Sequence, residues 1–282
     1  MNRSTRRGRH AWKAAVVCAA VAAALGGPAD AQTGTPAGPQ TGPPAGNANS
    51  QSVAAASARA MTDRGVELYN GHKDAEAMTV FRRAAAIGDV DAMMYLGVMY
   101  GSGRGSAVDY DAAMSWFRQA AEAGNNQAMC NVGVLYLEGE GMPRNYDQAM
   151  TWFRRAATAG NTEAMFNVGV LYRDGLGLPP NYGEALRWFR RAAGEGDIPA
   201  ANAIGVMYQQ GLGVTLDYGE AMKWYQQAAA AGSDTAMYNI GVLWEGGLGV
   251  ARNKNQAIEW YRKAAEAGNE KARALLKSVD KN

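Results

Sequence analysis

The chain has 282 residues, a formal net charge of +2 at pH 7, two cysteines and two histidines. A charge this close to zero leaves no basic excess for binding nucleic acid or an anionic lipid surface. We therefore expect no nucleic-acid partner.

The first 31 residues have the pattern of a secretory signal peptide. An apolar run from Ala14 to Leu25 follows a basic segment, and Ala-Asp-Ala at 29–31 forms an A-x-A cleavage site. The basic residues are Arg3, Arg6, Arg7, Arg9 and Lys13. The apolar run is shorter than the about 20 residues that cross a bilayer. Cleavage after Ala31 and a periplasmic or secreted protein without a membrane span are predicted, with an uncleaved anchor as the alternative.

Cleavage at that site changes both the charge and the reactive side chains. Loss of five basic residues and Asp30 takes the formal charge to about −2, and Cys130 and His72 become the last cysteine and histidine. One cysteine cannot form an intrachain disulfide, and one cysteine with one histidine cannot complete a zinc site without carboxylates. We predict no metal, no cofactor and no catalytic site.

Residues 32–56 are rich in glycine, proline, glutamine, alanine and asparagine, with no charged or aromatic residue. Such a segment buries too little apolar surface to offset the entropy that ordering costs. The composition predicts a disordered linker.

Residues 57–282 are organised as a repeat. Near-copies of one pattern start every 36 residues, at Ala92, Ala128, Ala164, Ala200 and Ala236. A strict period of this length is typical of a solenoid, in which each repeat contacts its neighbours. The prediction is an all-α solenoid with a shortened unit at 57–91, five repeats at 92–271 and a capping helix at 272–282.

Each repeat contains two helical patterns. Glycine in the middle of the first helix, as at Gly169, costs about 1 kcal/mol relative to alanine. Close approach of a second-helix tryptophan, such as Trp188, is the predicted compensation. Asn161 and Asn181 stand where N-caps are expected, and Glu184, three residues after Asn181, completes the pattern of a capping box.

The loop between the two helices contains G-x-G, as at Gly175-x-Gly177. No strand pattern precedes it, no Lys-Ser/Thr pair follows it, and it recurs five times. A chain-reversing turn is therefore predicted rather than a phosphate-binding loop.

The pattern A-x-x-N-V-G-x-x-Y-x-x-G-x-G…N/D-Y-x-x-A-x-x-W-F/Y-x-x-A-A-x-x-G resembles the Sel-one-like repeat of the tetratricopeptide-repeat superfamily. The resemblance covers residues 92–271, with departures at Ala203, Trp244 and Lys254. It implies antiparallel helix pairs stacked in a right-handed superhelix that serves as a scaffold for other proteins.

Positions that differ between repeats are those free to recognise a partner. One such row on the first helices consists of Met94, Cys130, Phe166, Asn202 and Tyr238, and the row beside it of Tyr95, Asn131, Asn167, Ala203 and Asn239. In tetratricopeptide relatives the first helix lines a concave groove, where asparagines hold an extended peptide. The resemblance implies that role for Asn131, Asn167 and Asn239. The alternative is that these amides only satisfy backbone groups between helices.

Aromatic anchors for the partner are predicted at Tyr95, Phe166 and Tyr238. Seven residues after each row, on the same helical face, the charged residues Glu138, Arg173 and Asp174 would orient the partner.

The sequence therefore predicts an exported, monomeric, non-enzymatic scaffold that binds a protein or peptide in its concave groove and supports assembly of an envelope or secreted complex. A glycan-binding envelope protein, with rings stacking on peptidoglycan or exopolysaccharide, is the alternative. A hydrolase using Cys130 and His72 is disfavoured, because other repeats fill the Cys130 position with Met94, Phe166 or Tyr238.

Overall fold

The structure is a computed structural model that describes residues 45–279. The predicted signal peptide, linker residues 32–44 and the last three residues lie outside the described residues. Between residues 45 and 279 there are thirteen α-helices and no strand. Their bounds are α1 Ala45–Asn70, α2 Asp74–Ala86, α3 Val90–Ser102, α4 Tyr110–Glu122, α5 Asn126–Glu138, α6 Tyr146–Thr158, α7 Thr162–Asp174, α8 Tyr182–Gly194, α9 Ile198–Gln210, α10 Tyr218–Ala230, α11 Asp234–Gly246, α12 Lys254–Glu266 and α13 Glu270–Val279.

The chain forms two compact units, divided in sequence between Trp152 and Phe153. In the first unit α2 packs on α1, α4 packs on α3, and α3 and α5 pack on the helices that precede them. In the second unit α8 packs on α7, α10 on α9 and α12 on α11, while α9, α11 and α13 pack on the helices before them. Each unit thus has the helix pairing of an all-α solenoid, as predicted. None of the helices within 45–279 is long and apolar enough to cross a bilayer.

In the helix pairs that lie within one unit, a single ring of the second helix packs against the mid-helix glycine of the first helix. A Cβ atom at Gly169 would lie 2.6 Å from Cδ1 of Phe189, and one at Gly205 would lie 2.5 Å from Cε1 of Tyr225. Phe189 and Tyr225 are fully buried, whereas Trp188 is half-buried. The predicted tryptophan partner is therefore wrong by one residue. Successive residues of a helix point about 100° apart, so one of two adjacent rings faces the neighbouring helix and the other does not.

The predicted N-caps are confirmed. The Oδ1 atom of Asn161 accepts from the backbone N–H of Ala164 at 2.7 Å, and that of Asn181 accepts from the N–H of Glu184 at 3.0 Å. In a capping box the Glu184 carboxylate would accept from the backbone N–H of Asn181. Here it accepts instead from the Arg187 guanidinium, one turn along the helix, and forms an ion pair with it.

The G-x-G loops reverse the chain, as predicted. Gly175 and Gly177 have φ angles of +67° and +78°, in the left-handed region that favours glycine. The backbone N–H of Asn181 donates to the carbonyl of Tyr172 at 2.8 Å. This bond closes the loop and sets where α8 begins.

Helix α1 has 26 residues, against 13 in α2. The prediction of a disordered linker is wrong for residues 45–56, which are helical. Residues 52–57 are exposed, and burial begins at Ala58. Alanine has the highest helix propensity, so exposed residues such as Ala54, Ala55 and Ala56 can continue a packed helix.

Asp74 joins the first helix pair to the following repeat. It is the first residue of α2, and Lys73 holds the N-cap position. Its carboxylate accepts from Nε of Arg104 at 3.0 Å, and the Arg104 guanidinium lies 3.5 Å from the centre of the Tyr69 ring. This partly buried ion pair holds the α3–α4 loop on the preceding pair.

Candidate functional site

Two of the predicted partner-binding residues are buried in the first unit. Tyr95 is 6% exposed and stacks on Phe81 with 4.9 Å between ring centres, and burial raises the pKa of its phenol. Asn131 is 4% exposed, and its Oδ1 accepts from Nε2 of Gln127 at 3.4 Å. Neither side chain presents a surface that a partner could contact, so we remove both from the candidate site.

Glu138 lies half-buried in the last turn of α5. Burial raises the pKa of its carboxyl, Arg144 opposes that rise and Glu140 adds to it. The C-terminal end of a helix also disfavours a negative charge. The carboxylate is therefore held in an unfavourable position in the folded protein.

Replacing Glu138 by glutamine is expected to raise the unfolding temperature at pH 7 and to leave it unchanged near pH 3. Because the folded-state pKa lies above the unfolded value, the glutamate stabilises most when protonated, and that stability is lost as the pH rises through the folded pKa. Glutamine stays neutral, so its advantage grows with pH. Thermal unfolding followed by circular dichroism checks this, with Glu122→Gln, an exposed carboxylate in the last turn of α4, as the control. A gain that persists near pH 3 contradicts the prediction.

The second unit places four predicted residues, half-buried, on its first helices. They are Phe166 and Asn167 on α7 and Tyr238 and Asn239 on α11. The ring centre of Phe166 lies 5.5 Å from that of Phe189, and the ring centre of Tyr238 lies 5.4 Å from that of Tyr261. Each ring thus packs on the buried ring of its own helix pair and keeps part of its surface exposed.

Asn239 is hydrogen-bonded to an asparagine of the preceding repeat. Its Nδ2 donates to Oδ1 of Asn202 on α9 at 3.0 Å. Among the described residues, this contact leaves the Nδ2 hydrogens of Asn202 and the Oδ1 of Asn239 available, one donor and one acceptor side by side. The pair joins α9 to α11. Its remaining amide donor and amide acceptor can also bind the carbonyl and the N–H of one peptide group. Asn202 was placed in a variable row but not among the predicted site residues.

Arg173 and Asp174 neutralise each other. The guanidinium donates from Nε to Oδ1 at 2.6 Å and from Nη2 to Oδ2 at 2.9 Å. Its central carbon lies 5.9 Å from the centre of the Phe189 ring. Because this pair is complete within one turn, neither residue is a free charge for orienting a partner.

A pocket of about 300 Å³ lies between α7, α9 and the first residues of α11. Its apolar lining residues are Phe166, Ile198, Pro199, Ala203 and Val206, and its polar ones are Arg173, Asn202, Ser233, Asp234 and Thr235. This volume is at the lower end of the about 300–1,000 Å³ typical of ligand sites. The pocket therefore accommodates a few side chains rather than a large cofactor.

Two buried phenols have acceptors that the sequence analysis missed. Tyr225 donates from its hydroxyl to Oε1 of Gln209 at 2.6 Å, and Tyr261 donates to Oε2 of Glu245 at 2.7 Å. Burial raises the pKa of both phenols, and the hydrogen bond to Glu245 adds to the rise for Tyr261.

The sequence contained the signal for these pairs. Gln209 and Glu245 occupy the same first-helix position in two repeats. A glutamine or glutamate stands at that position only in the repeats whose buried second-helix ring is a tyrosine. Repeats with Phe117, Phe153 and Phe189 have Gly101, Leu137 and Arg173 there.

Replacing Gln209 by leucine is expected to destabilise the second unit by about 1 kcal/mol, because the Tyr225 hydroxyl loses its acceptor. Adding Tyr225→Phe should recover most of the lost stability, because the double variant then has the same combination as the repeat with Leu137 and Phe153. Chemical denaturation of the four proteins in this double-mutant cycle measures the coupling. Additive effects of the two substitutions contradict the assignment.

Partly exposed tryptophans and cations occupy the second helices of this unit. Trp188, Trp224 and Trp260 are half-buried. Arg191 lies 5.4 Å from the ring centre of Trp188, and Nζ of Lys263 lies 4.3 Å from that of Trp260. These indoles retain surface that the fully buried phenylalanine and tyrosine rings lack.

Cys130 is fully buried in α5. Within residues 45–279 no group of three or more histidine, cysteine, aspartate or glutamate side chains is placed to hold a metal ion.

The Sel1 repeat model matches the chain at residues 90–125, 126–161, 162–197, 198–233 and 234–269. The chain belongs to the Sel1 repeat family. Its matched repeats have the predicted period of 36 residues and begin two residues before the alanines that mark the pattern. Sel1 repeat proteins generally bind other proteins, and their fold is typically a non-catalytic scaffold.

Solved structures similar to this Sel1 repeat protein include a Sel1 repeat protein from Oxalobacter formigenes. It is 33% identical, with a TM-score of 0.72 over 77% of this chain and 89% of the other. A protective antigen of uropathogenic Escherichia coli strains with an SLR fold is 35% identical, with a TM-score of 0.66 over 79% of this chain. The match spans 48% of that antigen. No curated protein matches the sequence.

Proposed function

We propose that this Sel1 repeat protein is an exported, non-enzymatic scaffold that binds an extended segment of a partner protein and supports assembly of an envelope or secreted complex. Membership of a family that generally binds proteins supports the general role. The observation that carries the specific proposal is the pocket on the first helices of the second unit, where Phe166 and Asn202 lie together.

The pocket has the features of a peptide-binding surface. Phe166 is preorganised by its contact with Phe189, so binding costs little side-chain entropy at that ring. A partly exposed aromatic ring provides the anchor, and the Asn202–Asn239 pair provides hydrogen bonds to a peptide backbone. Apolar anchors and backbone hydrogen bonds together are what an extended segment requires.

Site-specific photo-cross-linking tests this function. A photoreactive residue at Thr235, which lines the pocket, should form an adduct with a protein in the native envelope fraction. The matched control carries the photoreactive residue at Gln226, exposed on the second helix α10. The adduct from position 235 should disappear when Phe166 is also replaced by alanine. Adducts of equal yield from both positions, or a glycan adduct from position 235, contradict the proposal.

Export is the second part of the proposal and rests on the signal-peptide pattern of residues 1–31. The protein recovered from the periplasm or medium should begin at Gln32. Fractionation followed by N-terminal sequencing checks this, with a cytosolic marker as the control. Full-length protein found with the cytosolic marker contradicts export while leaving the binding site open to test.

Glycan binding is a second candidate function, favoured by the half-exposed Trp188, Trp224 and Trp260. Indole faces provide large amphipathic contact surfaces. If glycan is the ligand, purified peptidoglycan or exopolysaccharide should retain the protein, and replacing these three residues by leucine should abolish retention. Glycan binding is contradicted if the glycan retains the leucine variant as well as the unchanged protein, or if it does not retain the unchanged protein.

A further inference from the structure

The first and second helices of the second unit differ in charge. Helices α7, α9 and α11 carry four carboxylates and one guanidinium, whereas α8, α10 and α12 carry seven cations and four carboxylates. The carboxylates on the first helices are Glu163, Asp174, Asp234 and Glu245, and the guanidinium is Arg173. Potentials of opposite sign on an interface select the charge of the partner.

The pocket lining contains one carboxylate, Asp234, and one cation, Arg173, which is already paired with Asp174. Asp174 is paired with Arg173, and Glu245 accepts from Tyr261 and lines a separate pocket with Lys254. Asp234 lines the pocket between α7, α9 and α11, and its Oδ1 accepts from the backbone and hydroxyl of Thr235. Among the described residues the Oδ2 atom of Asp234 has no hydrogen-bond donor, so it can pair with a cation from outside.

The remaining lining of the pocket limits what the ligand can be. Ile198, Pro199 and Val206 make the lining aliphatic beside the Phe166 ring, which suits an apolar side chain. Asn202 and Asn239 together present one amide donor and one amide acceptor, which suits the backbone of a peptide. The Asp234 carboxylate, the apolar lining and the Asn202 amide therefore lie together, with Asn239 bonded to Asn202 and the Arg173 charge neutralised by Asp174.

We propose that the segment bound here is a basic, extended peptide that places an aliphatic side chain in the pocket and a lysine or arginine beside Asp234. This inference rests on the proposed protein-binding function and specifies the chemistry of its partner. The amide pair holds a peptide group between those two side chains, and the surplus of negative charge on α7 and α11 attracts the segment.

Nuclear magnetic resonance of the mature protein with ¹⁵N-labelled asparagine tests the inference, because it reports the side-chain amides of Asn202 and Asn239 directly. The probe is the synthetic peptide acetyl-Gly-Lys-Gly-Leu-Gly-Lys-Gly-amide. Two matched peptides carry glutamate in place of lysine, or serine in place of leucine. The lysine–leucine peptide should shift both amide resonances and bind about tenfold more tightly than either matched peptide.

Two variants locate the charge. Asp234→Asn should weaken binding of the lysine–leucine peptide by about threefold and reduce its salt dependence, as expected for one exposed ion pair. Glu266→Gln, which removes an exposed carboxylate from α12, should leave binding unchanged. Circular dichroism of both variants confirms that the helices are retained.

Three results overturn the inference. Equal or tighter binding of the glutamate peptide at the same amides shows that the pocket does not select basic segments. Amide shifts that depend on protein concentration alone show that a second copy of the chain occupies the surface. If no peptide shifts these amides while position 235 still cross-links to a protein partner, the basic peptide is wrong and the protein-binding function stands.

Discussion

Replacing Gly205 by alanine is expected to destabilise the second unit by about 1–3 kcal/mol, the usual cost of overpacking a core. The new Cβ would lie 2.5 Å from Cε1 and 2.6 Å from Cδ1 of Tyr225, whose ring is fully buried. The contact is with ring carbons that phenylalanine also has, so Tyr225→Phe would not relieve it. Chemical denaturation followed by circular dichroism measures the loss.

Gly194→Ala is the matched control, with an expected effect of the opposite sign. Gly194 is an exposed helical residue, and a Cβ there would meet no atom within 4 Å. Because Gly194 is the last residue of α8, alanine should stabilise by less than the about 1 kcal/mol that a helix interior gives. If Gly205→Ala also stabilises, the close approach of the Tyr225 ring is not what maintains glycine at this position.

Replacing Phe189 by alanine is expected to cost about 3–5 kcal/mol, as for other large buried rings. Phe189 is fully buried against Gly169 and also supports the Phe166 ring. The same variant should abolish cross-linking from position 235, because Phe166 would lose the ring on which it packs. Trp188→Ala should cost less, since Trp188 is half-buried and retains contact with solvent.

The Phe189 and Trp188 variants need a measurement that resolves local unfolding, because repeat arrays can open one part at a time. Hydrogen exchange of α7 and α8 amides gives that resolution. For Phe189→Ala, loss of protection should centre on these two helices. A larger loss in Trp188→Ala than in Phe189→Ala would show that the indole is the core ring after all.

The sequence predicted well those features that depend on local interactions. Asn161 and Asn181 were identified as caps because an N-cap bonds to a backbone N–H three residues away, within the same segment of chain. The turn at Gly175 was identified for the same reason, since its conformation is determined by the residues of the loop.

Features that require two helices to meet were predicted less well. Trp188 and Phe189 are adjacent, large and aromatic, and their side chains point about 100° apart on α8. The orientation of α8 on α7 decides which ring contacts Gly169. For the same reason Asn131 and Asn239 belong to one row, yet Asn131 is buried and Asn239 is half-exposed beside Asn202.

By itself, the sequence determined the repeat period, the family, the all-α class and the local signals that start and end most helices. Only the tertiary structure decided which divergent residues are accessible, where a pocket forms on the second unit and which carboxylate of its lining has no ion pair among the described residues. The reason is physical. Caps and turns are made between residues a few positions apart, whereas burial and pairing of a side chain depend on neighbouring helices whose contacting residues are 16 to 37 positions away, so no single stretch of chain encodes their packing.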